Sequence, residues 1–356
     1  MERVASIAAT LKTYLDSLLR RDESGRLYVL DDELGDRASC CTTAEAACLY
    51  VLGGEAADLE KAAELIDDVL NRQLPSGAFG QPYYVKKGES GTIDIAEIGA
   101  AANSLYHVYR ATGNEAAKTS LVRSADYLLT QVAEEQPGAI YKNPNARMHD
   151  VLNGDIYAAH TLGRAYELTG SPVYLEQIER TVAHVADRFG KHSPGWWPYT
   201  EQWDGSVGMG NSVAYQATII AFAHPLLPLL PEPLRSRWLR IEEEASAIIL
   251  QALQDGPNDD NEAPWWCRDW PNVAEISLAF SRVPHMPEAN AYVERRLTEI
   301  EEGLDREGIA YFRPKVKSDD PERSPVTTTF RKAATFAGIL CGIGLDPLAD
   351  SAAANR

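Results

Sequence analysis

Residues 150–190 read DVLNGDIYAAHTLGRAYELTGSPVYLEQIERTVAHVADRFG. The first half, 150–169, is rich in alanine and small residues and apolar on most sides, a composition that suits a helix buried all round. Thr169-Gly170-Ser171-Pro172 ends that helix with a C-terminal glycine and starts the next with a proline in its first turn. The second half, 172–190, sets charged residues beside one apolar stripe, as a helix lying over a core does. The stretch predicts a hairpin of one inner and one outer helix.

The same arrangement recurs in both directions. Glycine or proline followed by aromatics punctuates the chain at Gly25-Arg-Leu-Tyr28, Gly77-Ala-Phe79, Gly138-Ala-Ile-Tyr141, Gly195-Trp-Trp197, Pro264-Trp-Trp266 and Gly308-Ile-Ala-Tyr311. The lead positions step by 52, 61, 57, 69 and 44 residues, about the length of a helical hairpin with two connections. Charged, striped segments precede each mark: 2–21, 56–73, 115–133, 172–190, 232–254 and 287–303. Small-residue segments follow: 40–52, 94–112, 150–169, 211–230, 271–283 and 325–343. Pro225, Pro228, Pro231 and Pro233 shorten the fourth inner helix. No strand alternation or glycine-rich phosphate loop competes. The expectation is an all-α (α/α)6 barrel, a toroid of six helical hairpins forming one domain over 1–356, closed into a ring whose cavity is the active site.

Composition narrows the function. The 356 residues are 45% apolar, enough for a substantial core. A formal net charge of -18 without any basic run disfavours nucleic acid as a partner. No stretch of about 18 apolar residues is present to span a membrane. The N-terminal segment reads as an amphipathic helix rather than a signal peptide. Five cysteines, with Cys40 and Cys41 adjacent, suit no disulfide framework, and together these features point to a cytoplasmic protein.

Asn153-Gly-Asp-Ile-Tyr-Ala-Ala-His160, continuing to Tyr166-Glu-Leu-Thr-Gly170, resembles a signature of the six-hairpin carbohydrate-active superfamily. Its uronate-processing members are glucuronyl C5-epimerase-like proteins, unsaturated glucuronyl hydrolases and polysaccharide lyases. Gly195-Trp-Trp-Pro-Tyr199 and Asn211-Ser-Val-Ala-Tyr215-Gln216 are similar to the same group. A second likeness is to squalene- and terpene-cyclase toroids: Gln73-Leu-Pro-Ser-Gly77-Ala-Phe79 matches their Gln-to-Gly-aromatic motif. Cys40-Cys-Thr-Thr-Ala-Glu45 resembles the helix start that bears their acidic motif, with cysteine where the protonating aspartate belongs. The first resemblance implies sugar chemistry and the second implies carbocation chemistry.

In a toroid the loops entering the inner helices converge on one rim, so the first turns of those helices hold the candidate residues. Asp94 and Glu97 share a helical face and offer the carboxyl pair that glycosidic hydrolysis needs, although Asp94 also suits an N-cap. His149, Asp150 and Asn153 are spaced to share a face in the third inner helix. A histidine beside a carboxylate is a poised base, and Asp150 is alternatively an N-cap. Asp155 lies off that face and reads as structural. Tyr215 can supply a proton in an elimination or epimerisation, while Asn211, Gln216 and Arg331 can hold a substrate acid. Glu275, Asn272, Asp269, Thr327 and Thr328 complete the polar rim. Trp196, Trp197, Tyr199, Trp203, Trp265, Trp266 and Trp270 concentrate aromatics in two loops, where they stack on sugars, face carbocations or plug the ring.

Metal is a weaker idea: Cys40, Cys41 and Cys267 lack ligand spacing, and Asp259-Asp260 and Asp319-Asp320 read as solvated loop acids. The leading expectation is an enzyme on a sugar or uronate-containing oligosaccharide, working by hydrolysis, lyase elimination or epimerisation without a cofactor. Asp94 and Asp150 are its acid and base, Glu97, His149 and Tyr215 assist, and Arg331, Asn153, Asp269 and the aromatics bind substrate. An isoprenoid cyclase and a non-catalytic binding module are the alternatives.

Overall fold

A computed structural model describes residues 2–81, 92–145, 147–256, 272–314 and 327–346. The described residues contain twelve α-helices that follow the expected alternation: α1 (Glu2–Leu18), α2 (Cys40–Gly53), α3 (Ala56–Asn71), α4 (Ile95–Thr112), α5 (Glu115–Leu129), α6 (Leu152–Thr169), α7 (Pro172–Ala186), α8 (Val213–Ala223), α9 (Glu232–Asp255), α10 (Asn272–Ser281), α11 (Pro287–Glu307) and α12 (Thr329–Leu345). They pack into two compact units, Met1–Ser124 with Arg295–Leu345 and Ala125–Glu294 with Asp346–Arg356.

In the first unit α2 is the centre, packed against α1, α3, α4 and α12. Every residue from Cys40 to Tyr50 is buried, as an unstriped helix requires. In the second unit α6 packs on α7 and α8, α8 on α9 and α10, and α6 is buried without interruption from Leu152 to Ala165. The outer helices bury a stripe only: α3 inserts Ala62, Leu65, Ile66 and Val69. Gly170 closes α6 at φ 67°, its N–H donating to the Tyr166 carbonyl.

Two of the repeated turns have a steric reason. At Gly77, with φ 98°, a Cβ would lie 2.2 Å from the Arg123 carbonyl oxygen of α5. At Gly195 a Cβ would lie 2.6 Å from Ile248 Cγ1 of α9. Each turn presses its backbone onto the next outer helix, and only glycine leaves room. Gln73 fastens the first of these turns, its Nε2 donating to the carbonyls of Gly77 (2.9 Å) and Ser120 (2.9 Å) and to Ser124 Oγ (3.2 Å).

The proline-rich fourth hairpin behaves as expected, with α8 stopping at Ala223 and a 3-10 turn running over His224–Leu229. The expected absence of strands fails. Short antiparallel sheets occupy the loops: β1 (Leu19–Arg21), β2 (Leu27–Asp31) and β3 (Asp36–Arg37); β4 (Gly80–Gln81) and β5 (Thr92–Ile93); β6 (His149–Val151), β7 (Thr200–Gln202) and β8 (Val207–Met209). Residues 19–21 leave the helix to pair with β2, whose side chains alternate between buried and half-buried over five residues. Strands of two to five residues carry too few alternations to register against helical periodicity.

Candidate active site

The second unit brings three inner helices to one buried carboxyl. Glu275, in the first turn of α10, is buried, and its Oε2 accepts a hydrogen bond from Thr218 Oγ1 of α8 at 3.0 Å. Its Oε1 accepts from the Tyr157 hydroxyl of α6 at 3.4 Å. Burial pushes this carboxyl up to about 7, against the opposing pull of the two hydroxyls. Phe222 stands beside them, 4.7 Å from the Tyr157 ring and 5.3 Å from that of His160. A carboxyl that titrates near neutrality beside a phenol can both give and take a proton. The sequence marks Glu275 only as an acid at the polar end of an apolar helix; its pKa depends on residues 57 and 118 positions away.

His149 and Asp150 do not lie on a helix. They belong to β6, which pairs with β7 (His149 with Gln202, Asp150 with Glu201), and α6 begins at Leu152. The shared helical face is therefore lost, and so is the N-cap role of Asp150, since Val151 occupies that position without a side-chain bond. Asp150 instead places Oδ2 2.7 Å from His184 Nε2 on α7, and Asp155 Oδ2 is 3.6 Å from the same nitrogen. Asp155 Oδ1 accepts the Ile140 N–H at 2.7 Å. Burial and the neighbouring Asp150 push the Asp155 carboxyl far above the usual range, with the Ile140 N–H and Arg188 acting against them. Beside this group, buried Glu201 gathers His192 Nε2 at 2.8 Å and Lys191 Nζ and Arg188 Nε at 3.3 Å each. A pocket of about 170 Å³ opens here, lined by Asp150, Arg188, Lys191, Glu201, Gln202 and Trp203 among others. Neither His184 nor Glu201 stands out in the sequence, because both lie outside the first turns of inner helices.

The first unit has its own buried polar group. Asp94 is the N-cap of α4, accepting from the Ala96 N–H at 2.9 Å, so the capping reading describes its geometry. Glu97 is buried one turn on. Cys41 and Glu45 of α2 face each other, Sγ to Oε2 at 3.6 Å. Burial raises the Cys41 thiol well above its usual range, Glu45 and Glu97 raise it further, and Arg331 of α12 opposes them. Arg331, Glu45 and Glu97 thus all act on the Cys41 thiol. The thiol is held protonated and inert.

Other expected binding residues divide by how fully they are engaged. Gln216 accepts the Trp197 N–H (3.3 Å) and donates to the carbonyls of Gly195 (3.1 Å) and Ala245 (3.2 Å). Trp197 is buried against Phe189 and Trp238, with Nε1 donating to the Val185 carbonyl at 2.9 Å. Trp196 is also buried. Tyr199 and Tyr215 are half-buried and stacked at 4.1 Å, with Lys142 Nζ 3.2 Å from the Tyr199 hydroxyl. Asn211 is half-buried, and Asn153 is buried. Trp265, Trp266 and Asp269, with Cys267, Trp270, Asp259, Asp260, Asp319 and Asp320, lie outside the described residues.

Among the described residues, buried and striped helices alternate, and acids are buried near the starts of inner helices. The chain has the (α/α)6-toroid fold of the solved structures it resembles. It is similar to a sugar epimerase from a ruminal bacterium (TM-score 0.67, 15% identity, 97% of this chain and 100% of that one). It also resembles a D-mannose isomerase (0.66, 12%, 95% and 96%) and an unsaturated glucuronyl hydrolase from a Bacillus species (0.58, 15%, 95% and 94%). No protein-family model and no curated protein sequence matches the chain. No helix among the described residues is long and apolar enough to cross a membrane.

Proposed function

We propose that the chain is a carbohydrate-active enzyme of the epimerase or isomerase type, moving a proton at the carbon beside a sugar carbonyl, with Glu275 as acid and base. The observation that carries this reading is the Glu275 carboxyl, held at about 7 among Tyr157 and Thr218. A group poised near neutrality suits reversible transfer, because it must end each turnover ready for the opposite step. Glycosidic hydrolysis asks for two carboxyls across the bond, one acid and one base or nucleophile. Asp94 spends one oxygen on its helix cap and Asp150 is tied to His184, so Glu275 is the stronger candidate for proton transfer.

The sugar epimerase and the D-mannose isomerase that share this fold support the substrate class. The D-mannose isomerase is named for a neutral sugar, which supports a neutral substrate over a uronate. The stacked Tyr199 and Tyr215 supply a platform for the ring. A buried carboxyl met by the Tyr157 and Thr218 hydroxyls is a polar setting, which favours sugar chemistry over isoprenoid cyclisation.

The test is incubation with D-mannose, cellobiose and an unsaturated glucuronyl disaccharide in deuterated water, followed by NMR. Deuterium at C2 and a new epimer or ketose are expected with one of the neutral sugars. Glu275→Gln should lower the rate by about 10²–10⁴-fold while leaving the chain folded. Cleavage of the disaccharide without deuterium at C2 of any of the sugars would instead establish the hydrolytic reading, and full turnover by Glu275→Gln would refute the assignment of this residue.

A further inference from the structure

Asp150, Asp155 and His184 form a group that the Glu275 chemistry does not use. One ligand atom of each lies within 4.8 Å of the other two, and all three side chains are buried. We propose that they bind a first-row divalent cation of the zinc or manganese type, reached through the pocket that Asp150 lines.

Buried as it is beside Asp150, the Asp155 carboxyl is driven towards its protonated form, and a cation bound between the two would let both ionise in place of that proton. No donor from any other described residue meets Asp150 Oδ1 or Asp155 Oδ2, which leaves the two carboxyls to each other, and the buried amide oxygen of Asn153 in the same stretch of chain has no donor either. Buried oxygens of this kind call for a partner that protein atoms alone do not provide. The basic side chains around the pocket make their direct contacts with other groups: Lys191, His192 and Arg188 meet Glu201, and Arg188 Nη1 donates to the His184 carbonyl at 3.0 Å.

The spacing suits a small ion. His184 Nε2 is 2.7 Å from Asp150 Oδ2 and 3.6 Å from Asp155 Oδ2. Ligands of a tetrahedral ion with bonds of about 2.0–2.1 Å stand about 3.3 Å apart, between those two values. Calcium, with longer bonds of about 2.3–2.6 Å and six to eight oxygens, fits less well. One imidazole nitrogen with carboxylate oxygens is a donor set that zinc and manganese both accept. The ion would fasten β6 and the start of α6 to the outer helix α7. A path to it exists, since the pocket of about 170 Å³ reaches Asp150.

The test uses the full chain freed of metal with a chelator. Calorimetric titration with zinc chloride should show one ion per chain and a raised melting temperature. Asp155→Asn and His184→Gln should each weaken binding at least tenfold. Manganese bound to the wild type should show nitrogen hyperfine coupling in its electron spin resonance, and His184→Gln should lose it. Asp155→Asn keeps the side-chain volume and an oxygen for the Ile140 N–H, so it remains decisive even if His184→Gln does not fold. No binding by the wild type, or undiminished binding by folded Asp155→Asn, would overturn the proposal: a shared proton then holds the pair. Glu275 is not a ligand, so that result would leave the sugar-processing reading standing.

Discussion

The Gly195 turn and the Glu275 site, both in the unit of residues 125–294, bury polar groups to opposite ends. At the turn the buried amide of Gln216 is satisfied at both ends, with three bonds, to Trp197, Gly195 and Ala245. At Glu275 the acid is met, among the described residues, by two neutral hydroxyls, which stabilise its charge too weakly to offset burial. Satisfied polar groups hold a framework, whereas a carboxyl left short of charge-stabilising donors stays ready to exchange a proton. The Gln73 turn of the other unit belongs with the first kind, and the Asp150–Asp155–His184 group with the second.

That contrast can be broken at the framework side. Gly77→Ala forces a Cβ to within 2.2 Å of the Arg123 carbonyl at φ 98°, a clash with backbone that cannot rotate away. The expected cost is about 3–4 kcal/mol, read as a lower urea midpoint with an unchanged slope. On the functional side the effect should appear as a pH dependence. Folding raises the Glu275 carboxyl from an ordinary 4.5 to about 7, so the folded chain keeps a proton that the unfolded chain has released. This contribution to stability is complete below pH 4.5, falls as pH rises to about 7, and is flat beyond. It amounts to on the order of 3 kcal/mol, and Glu275→Gln should remove that slope from urea melts taken across the range. The smallest expected effect belongs to Gln216→Ala, which leaves one N–H and two carbonyls without their partner. It should cost about 2 kcal/mol and leave the pH slope untouched, sharpening the division between scaffold and site.

Much of the fold was legible because helical periodicity is local. The hairpin of α6 and α7 shows its inner face, its glycine stop and its proline start within forty residues. The short strands were not legible, and missing β6 displaced His149 and Asp150 from a helix onto a sheet. Asp94, Glu97, Asp150 and Glu275 lie at or beside the starts of inner helices, where their positions are legible, whereas His184 sits near the end of outer helix α7, where nothing marks it. Trp197 and Gln216 showed as motif residues, and nothing in their spacing tells a staple from a sugar contact.

By itself the sequence determined the alternation of buried and striped helices, their stops, and the polar character of the inner first turns. All of these arise between residues a few positions apart. Tertiary structure alone decided which acids keep a proton and which lend a cap. Burial and the donors that meet a carboxyl come from helices far along the chain, as Tyr157 and Thr218 do for Glu275.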